Sequence, residues 1–469
     1  MFPVRLILRY AAGPVGNAAV GLLLLPVMSW YFSGGDIGRL VLLQTVTGLS
    51  LIVLGLGLDQ AYVREYHSAA DRAVLLKTLA FPPLLLAAAL AAALCLWRPQ
   101  WPAETILSLS DARLGVLCLL FVYASLAARY LSLVLRMQER ASAFSLAQVL
   151  PKLSALLLIA AAMSAGLGAD IFLLLAAYAA GQWAAVAVLL WQTRRDLAAA
   201  ARAAFSRRQL AAAWSYGLPL ALAGVAYWGF TSADRWLLKD LAGLEDVGVY
   251  SLATAFGAAA LVFQSVFATV WSPLVFKWAS QGGDEGRVAQ AARHMTAAIA
   301  AITGVCGLCS PLAALLLPDA YADVPYILPC TLLSPLLYTL TEVTGIGVHI
   351  CRRTFSLVLV SLAALAVNLV LLNMFIPQWG ARGAAMAAAV SFWLFFAGKT
   401  ELSARLWQPL PRAGAYGGSL LCLSVCLAYT RWGSAAVYGY FVPLWLALSL
   451  WPLWRYRVWL SGRLQGFLK

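Results

Sequence analysis

The chain has 469 residues, of which 63% are hydrophobic and only 11% are charged, and its formal net charge is +14 at pH 7. This composition is too apolar for a soluble protein of this length and predicts an integral membrane protein. Apolar segments of about 18 to 27 residues recur from end to end, and each is long enough to cross the hydrocarbon core as a helix.

The sequence therefore predicts an all-α polytopic membrane protein with about 14 transmembrane helices. In chain order the predicted spans are 10–32, 38–62, 76–97, 113–135, 143–165, 169–191, 212–238, 247–273, 294–317, 324–350, 354–376, 380–398, 414–430 and 435–454. The predicted organisation is a six-helix lobe at 1–191, a basic amphipathic cytoplasmic linker at 192–211, a second six-helix lobe at 212–410, and an extra helix pair with a basic cytoplasmic tail at 411–469.

The distribution of basic residues predicts the orientation of the chain. Lys and Arg accumulate in cytoplasmic loops, and placing the N-terminus inside puts most of the 33 basic residues on that side. The exceptions in outer segments are Arg39, Arg98, Arg113, Lys239, Arg382 and Arg431. Both termini are thus expected in the cytoplasm, with no cleavable signal peptide. The positive charge indicates topology and not a nucleic-acid partner.

Six ionisable side chains fall inside these apolar segments. They are Asp59, Arg129, Lys152, Asp234, Arg235 and Glu342. A charge in the hydrocarbon region costs several kcal/mol, so one that is present usually faces a protein-lined or watery cavity. This set predicts that the protein moves an ionised substrate.

No feature of the sequence indicates a cofactor or a catalytic domain. The chain contains no GxxxxGK nucleotide-binding motif. Cys306 and Cys309 form a CxxC, but they lie in an apolar helix without nearby His, and we interpret them as small buried side chains. The chain is therefore expected to be a transporter and not an enzyme, and coupling to a proton or sodium gradient is left open.

The two predicted lobes begin alike. Tyr10 opens YAAGPVGNAAVGLL and Tyr216 opens YGLPLALAGVAYW, each a Gly- and Pro-bearing helix start. A turn follows each, and the turns align Asp36-Ile37-Gly38 with Asp246-Val247-Gly248. This pattern favours a parallel repeat, in which cargo binds at the interface of two lobes.

Five motifs carry a resemblance to a known family. They are Gly38-Arg39-Leu40, Leu58-Asp59-Gln60-Ala61-Tyr62-Val63-Arg64-Glu65-Tyr66, Ser232-Ala233-Asp234-Arg235, Val247-Gly248-Val249-Tyr250 and Trp379-Gly380-Ala381-Arg382-Gly383-Ala384-Ala385. Together they resemble the Wzx-type polysaccharide flippases of the multidrug/oligosaccharidyl-lipid/polysaccharide exporter superfamily, over residues 1–410. The resemblance implies a multi-pass carrier of the bacterial inner membrane that turns undecaprenyl-diphosphate-linked oligosaccharides to the outer leaflet by alternating access. It implies membrane lipids, a polysaccharide polymerase and glycosyltransferases as partners.

The predicted topology gathers three cations near the cytoplasmic side of the first lobe. Arg64, Arg129 and Lys152 would form a basic funnel for the diphosphate, because a pyrophosphate in a low-dielectric interior needs cations along its path. Arg64 and Arg129 could instead snorkel to the headgroups. Arg235 is a further candidate diphosphate ligand, with a structural role in the helix end as its alternative.

The three acids are candidates for ion coupling or ion pairing. Glu342 is the favoured residue for a coupling proton or sodium ion. Asp234 could fix its helix end or pair across lobes. Asp59 is a possible partner of Lys152 if the second and fifth spans pack together.

Three other functions remain as alternatives. A multidrug antiporter would share the fold but would favour an acidic cavity. A lipid II flippase would also have fourteen spans and a basic cavity. A membrane polysaccharide polymerase or glycosyltransferase would need a sizeable outer loop, and the largest one predicted, Arg98 to Ala112, is short.

Overall fold

The computed structural model describes residues 4–257, 260–264, 267, 271, 274–275, 278, 286–351, 354–408 and 410–455. All regular elements within these residues are helical. Eleven of the described helices are long and apolar enough to cross a membrane. The predicted all-α, multi-pass membrane fold is confirmed, whereas the count of fourteen spans and the cytoplasmic location of both termini stay predictions.

The chain forms two compact units, which we call the N-terminal unit (Met1–Ser232) and the C-terminal unit (Ala233–Lys469). The helices of the N-terminal unit are α1 (Val4–Tyr31), α2 (Gly34–Gly55), α3 (Leu58–Glu65), α4 (Arg72–Trp97), α5 (Trp101–Leu107), α6 (Ala112–Met137), α7 (Ala141–Ser164), α8 (Ile171–Arg202) and most of α9 (Arg207–Leu241). Within this unit α7 packs along α1 and α8, and α6 packs along α8.

Several helices of the N-terminal unit begin at a short polar side chain. Ser33, Asp71, Asp111 and Asp170 each accept a hydrogen bond from a backbone N–H of the first turn that follows. Such caps satisfy N–H groups that have no partner within the helix. At Asp111, the hydrogen bond from the Arg113 N–H lowers the pKa of the carboxyl.

A two-residue break separates α2 from α3. Leu56 and Gly57 have φ values of 52° and 70°, in the left-handed region, so α2 ends and the chain restarts as α3. A Cβ atom on Gly57 would lie 2.0 Å from the carbonyl oxygen of Gly217 on α9. Only glycine combines this backbone conformation with this approach. The break sets the direction of α3, which carries Asp59 and Arg64.

The predicted cytoplasmic linker is largely helical in the structure. Residues 192–202 continue α8, and a short turn joins α8 to α9. Lys77 on α4 donates to the carbonyl oxygens of Ala201 (3.0 Å) and Ala203 (2.7 Å). The backbone N–H of Ser206 donates to Thr78 Oγ1 at 3.2 Å. Three hydrogen bonds therefore hold the end of α8 and the turn after it to α4.

The C-terminal unit contains the end of α9 and eight further described helices. These are α10 (Leu244–Phe256), α11 (Arg287–Cys309), α12 (Ala313–Leu316), α13 (Val324–Thr344), α14 (Ile346–Ile350), α15 (Thr354–Leu406), α16 (Ala413–Trp432) and α17 (Tyr438–Arg455). Much of the predicted span 247–273 and the predicted basic tail after residue 455 lie outside the described residues. The most buried of the eleven candidate spans is α13.

Gly380 divides α15 into two helices that meet at a kink. Its φ of 50° and ψ of −128° are not helical, and a Cβ atom there would lie 2.4 Å from Asp246 Oδ1. The same carboxylate oxygen accepts the N–H of Ala381 at 2.7 Å and so caps the second helix. Burial raises the pKa of the Asp246 carboxyl, and the hydrogen bond from Ala381 opposes that shift.

The repeated Asp-x-Gly motif occupies the same place in both units. Asp36 is the third residue of α2 and Asp246 the third residue of α10. Asp36 pairs with Arg39 at 2.9 Å, and Arg39 Nε donates to the Leu107 carbonyl of α5 at 3.1 Å. In each unit the motif thus fixes the start of its helix to another helix of that unit.

The helix α17 packs along α11 through one large side chain. Trp445 is fully buried and lies over Gly304 and Gly307. A Cβ atom on Gly307 would lie 2.2 Å from the indole ring, and one on Gly304 would lie 2.6 Å from the Trp445 carbonyl oxygen. The extra helix α17 is therefore an integral part of the C-terminal unit.

Candidate functional site

An ion pair joins α3 to α6 in the N-terminal unit. Arg129 donates from Nε (2.9 Å) and from Nη2 (2.5 Å) to the same oxygen, Oδ2, of Asp59. Asp59 is 5% exposed, whereas the side chain of Arg129 is 37% exposed. The neighbouring Tyr130 hydroxyl donates to the Gly55 carbonyl at 3.2 Å and fixes α6 against the break after α2. Asp59 thus pairs with Arg129 and not with Lys152.

Arg129 lines a cavity of about 340 Å³ inside the N-terminal unit. The cavity lies among α2, α6, α7 and α8. Its lining comprises Gln44, Thr47, Gly48, Leu51, Phe121, Ser125, Ala128, Arg129, Ser132, Ala147, Gln148, Gln182 and Leu189. Among these described residues Arg129 is the sole charged one, so the wall is otherwise apolar with several neutral polar groups. We call this space the α6 cavity.

Three glutamines of the α6 cavity were missed in the sequence. Gln44 is exposed, and Gln148 and Gln182 are half-buried. Within the described part of the chain, their carboxamides form no hydrogen bond. The sequence does place one neutral carboxamide in each of three apolar spans, and this pattern could have predicted the three glutamines. Such groups draw less attention than charges, although an unpaired amide in hydrocarbon is also costly.

Lys152 lies one turn beyond Gln148 on α7. Its side chain is half-buried. A Cβ atom added to Gly21 on α1 would lie 3.2 Å from the Nζ atom of Lys152. The absence of a side chain at Gly21 leaves space for the ammonium group. Among the described residues Lys152 has no ion pair or hydrogen bond. It does not line the α6 cavity.

Arg64, in the last turn of α3, lies beside a second cavity. This space has a volume of about 540 Å³ and is lined from α3, the segment after it, and α9. The guanidinium carbon of Arg64 is 4.2 Å from the ring centroid of Tyr216, a cation–π contact. The three predicted basic residues all belong to the N-terminal unit, with Arg64 and Arg129 lining different cavities.

Asp234 and Arg235 lie in the C-terminal unit, near the end of α9. The Tyr250 hydroxyl of α10 donates to Asp234 Oδ2 at 2.5 Å, and Arg235 Nη1 lies 3.3 Å from Asp234 Oδ1. The Arg235 guanidinium also lies over the Tyr250 ring at 5.9 Å. These contacts hold α9 to α10.

Glu342 on α13 forms an ion pair with Lys399 on α15. The distance from Lys399 Nζ to Glu342 Oε1 is 3.0 Å, and the two side chains are 4% and 15% exposed, respectively. The sequence prediction ended a span at residue 398 and assigned Lys399 to a cytoplasmic loop. The helix instead continues to Leu406, so Lys399 is buried and is the partner that the sequence reasoning missed.

The described residues contain no cluster of three or more His, Cys, Asp or Glu side chains that could hold a metal ion. All eight cysteines are free thiols in the described part of the chain.

The sequence of the chain matches a family model described as polysaccharide biosynthesis protein over residues 7–278. The chain belongs to this family. No curated protein sequence matches it. The protein is structurally similar to the lipid II flippase MurJ in an inward closed conformation, with a TM-score of 0.71, 12% identity and 100% coverage of both chains.

It is also similar to a multidrug resistance MATE family transporter of the MOP superfamily. The inward-facing structure aligns with a TM-score of 0.60 and 15% identity over 91% of this chain and 100% of that one. The outward-facing structure aligns with a TM-score of 0.58 and 15% identity over 85% of this chain and 94% of that one. These structures share the fold of the chain, and the polysaccharide biosynthesis family that the motifs predict is confirmed.

Proposed function

We propose that the protein is a flippase that carries an undecaprenyl-diphosphate-linked oligosaccharide across the bacterial inner membrane by alternating access, for surface polysaccharide synthesis. Family membership supports the class of pathway. Glycosyltransferases that build the lipid-linked glycan would supply the cargo, and a polymerase that extends the glycan would consume it. The two six-helix lobes, the linker and the added helix pair of the sequence prediction are part of this proposal.

The observation that carries the proposal is the state of the cations in the N-terminal unit. Lys152 has no partner among the described residues, and Arg129 keeps a third of its side chain accessible although it is paired. A cation in an apolar segment is costly unless an anion or water reaches it. A diphosphate supplies several acceptor oxygens and forms charge-assisted hydrogen bonds with both types of side chain.

The acids favour an anionic cargo over a cationic drug. Asp59, Asp234 and Glu342 each have a basic partner within 3.3 Å. A multidrug antiporter for cations would need an accessible acid, and none of these three is free. We therefore assign Asp59, Asp234 and Glu342 to ion pairs. Coupling to a proton or sodium ion through Glu342 would require Lys399 to leave it first.

The proposal is tested by removing the cations while keeping the side-chain length. Lys152→Met and Arg129→Gln should each reduce surface polysaccharide by about tenfold, the effect of losing about 1.4 kcal/mol of binding. Purified protein should bind farnesyl diphosphate in preference to farnesol, and both variants should weaken that binding. The measurements are polysaccharide immunoblots and fluorescence titration of detergent-purified protein.

The matched control is Arg113→Gln. Arg113 is on the same helix as Arg129, but its side chain is 80% exposed and pairs with Asp111. Exposed pairs of this kind contribute little, so this variant should behave as the wild type does. Normal export by Lys152→Met and Arg129→Gln at wild-type protein levels would reject the proposal, as would equal binding of farnesol and farnesyl diphosphate.

A further inference from the structure

The polar groups of the α6 cavity are chiefly neutral. Three carboxamides, Gln44, Gln148 and Gln182, come from three different helices and line one space. None has a hydrogen-bond partner within the described residues. Each carboxamide offers two N–H donors and an acceptor oxygen. Because unpaired amides in an apolar environment cost free energy, their convergence indicates that a ligand or water supplies the missing partners.

The hydroxyl groups of the same wall are differently arranged. The hydroxyl protons of Thr47, Ser125 and Ser132 are donated to backbone carbonyl oxygens within their own helices, at 2.7, 2.8 and 2.8 Å. They remain able to accept hydrogen bonds from a ligand. The wall can therefore both donate and accept, which matches the hydroxyl and amide groups of a sugar and not the purely accepting oxygens of a phosphate.

The volume and the charge of the α6 cavity limit its occupant further. About 340 Å³ lies at the lower end of the range of about 300–1,000 Å³ for small-molecule sites. The lining therefore matches one part of a lipid-linked oligosaccharide, with the remainder of the molecule outside this space. The charge of Arg129, the sole charged lining residue among those described, is balanced by Asp59. The site is suited to a neutral group of one or two rings beside a cation.

We propose that the α6 cavity binds the sugar attached directly to the diphosphate, with Gln44, Gln148 and Gln182 as the residues that recognise it. This inference depends on the proposed function, because it takes the lipid-linked glycan as the cargo. Arg129 lies at the edge between the two parts of the ligand: one side of its guanidinium faces Asp59, and the rest is accessible to the phosphate next to the sugar.

The test compares two lipids that differ by one sugar. Undecaprenyl diphosphate and undecaprenyl diphosphate carrying one N-acetylhexosamine are titrated against the purified full-length protein. The wild type should bind the glycosylated lipid about tenfold more tightly. Gln148→Leu and Gln182→Leu should each remove most of that preference and leave the affinity for undecaprenyl diphosphate unchanged. Leucine suits an apolar helix, and melting temperature in detergent confirms that the variants are folded.

The control variant is Gln378→Leu in the C-terminal unit, where the carboxamide donates to the Met374 carbonyl of its own helix. It should keep the full preference for the glycosylated lipid. Equal affinity of the wild-type protein for the two lipids would overturn the sugar site while leaving the flippase proposal intact. A variant that loses both lipids equally would also overturn it. Failure of the wild type to bind either lipid would instead reject the proposed function.

Discussion

An ion pair that involves a buried carboxylate or ammonium group joins two helices in each unit, Asp59–Arg129 in one and Glu342–Lys399 in the other, and the two pairs differ in access. In the N-terminal unit the carboxylate of Asp59 is buried, but the side chain of Arg129 is 37% exposed and lines a cavity. In the C-terminal unit Lys399 is only 4% exposed and its partner Glu342 15%. A cation that is paired on one side and open on the other can still bind a ligand. A cation enclosed on all sides holds its helices together.

The largest effect is expected from breaking the enclosed pair. Lys399→Met keeps the aliphatic stem that packs on Gly345 but leaves Glu342 without a counter-charge. Removing one partner of a buried pair costs about 3–5 kcal/mol. The variant should therefore show a strongly lowered melting temperature in detergent and low abundance in the membrane.

The double variant Glu342→Gln with Lys399→Met is the control for this prediction. It removes both charges, and replacing a whole buried pair is often neutral, so stability should return close to that of the wild type. If Lys399→Met alone melts at the wild-type temperature, the pair does not hold α13 to α15. The comparison between the two units would then fail.

Breaking the open pair at Asp59 should have a smaller effect, and it should strengthen ligand binding instead of lowering stability. Asp59→Asn retains the shape of the side chain but removes the charge that competes for Arg129. Farnesyl diphosphate should bind about three- to tenfold more tightly, because the guanidinium no longer divides its attraction between two anions. Export should slow, because the tighter complex releases its cargo less readily.

The double variant Asp59→Asn with Arg129→Gln distinguishes this competition from a general change of the site. It should bind farnesyl diphosphate no better than Arg129→Gln alone. Weaker binding by Asp59→Asn itself would show that Asp59 only positions Arg129. Fluorescence titration and export rates from the same variants supply both measurements.

The smallest effect on export is expected from the substitution of Arg64. Its contact with Tyr216 lies beside an open cavity, where a cation–π contact contributes about 0.5–1 kcal/mol. Arg64→Gln should reduce export only about two- to fivefold, and the dependence of binding on salt should become shallower. Tyr216→Leu, which keeps the charge, should leave the salt dependence unchanged. A loss as large as that of Lys152→Met would contradict the ranking.

The fold was predictable from the sequence because its physical cause is local. Continuous apolar stretches of sufficient length must be helical in a bilayer, and most of the described helices lie where hydropathy places them. The boundaries were less predictable. Lys399 was assigned to a loop because a charge usually ends a span, but Glu342 neutralises it, and the helix can continue past it.

The composition of the candidate site was predictable only in part. Arg129 and Lys152 are conspicuous because charges are rare in apolar helices. The pairing of Asp59 with Arg129 could not be inferred, because it depends on the break at Leu56 and Gly57 that turns α3 toward α6. The glutamines of the α6 cavity converge from three helices, and helical periodicity within one helix contains no information about its neighbours.

The contact of Trp445 with Gly304 and Gly307 has a consequence for the order in which the protein is made. At a synthesis rate of about 5–20 residues per second, α11 leaves the ribosome roughly ten seconds before α17. During that interval the glycine face of α11 lacks the indole that fills it in the finished protein. This part of the C-terminal unit can thus be completed only after α17 has been synthesised. A chain truncated before α17 would present a recognisable defect to membrane quality control.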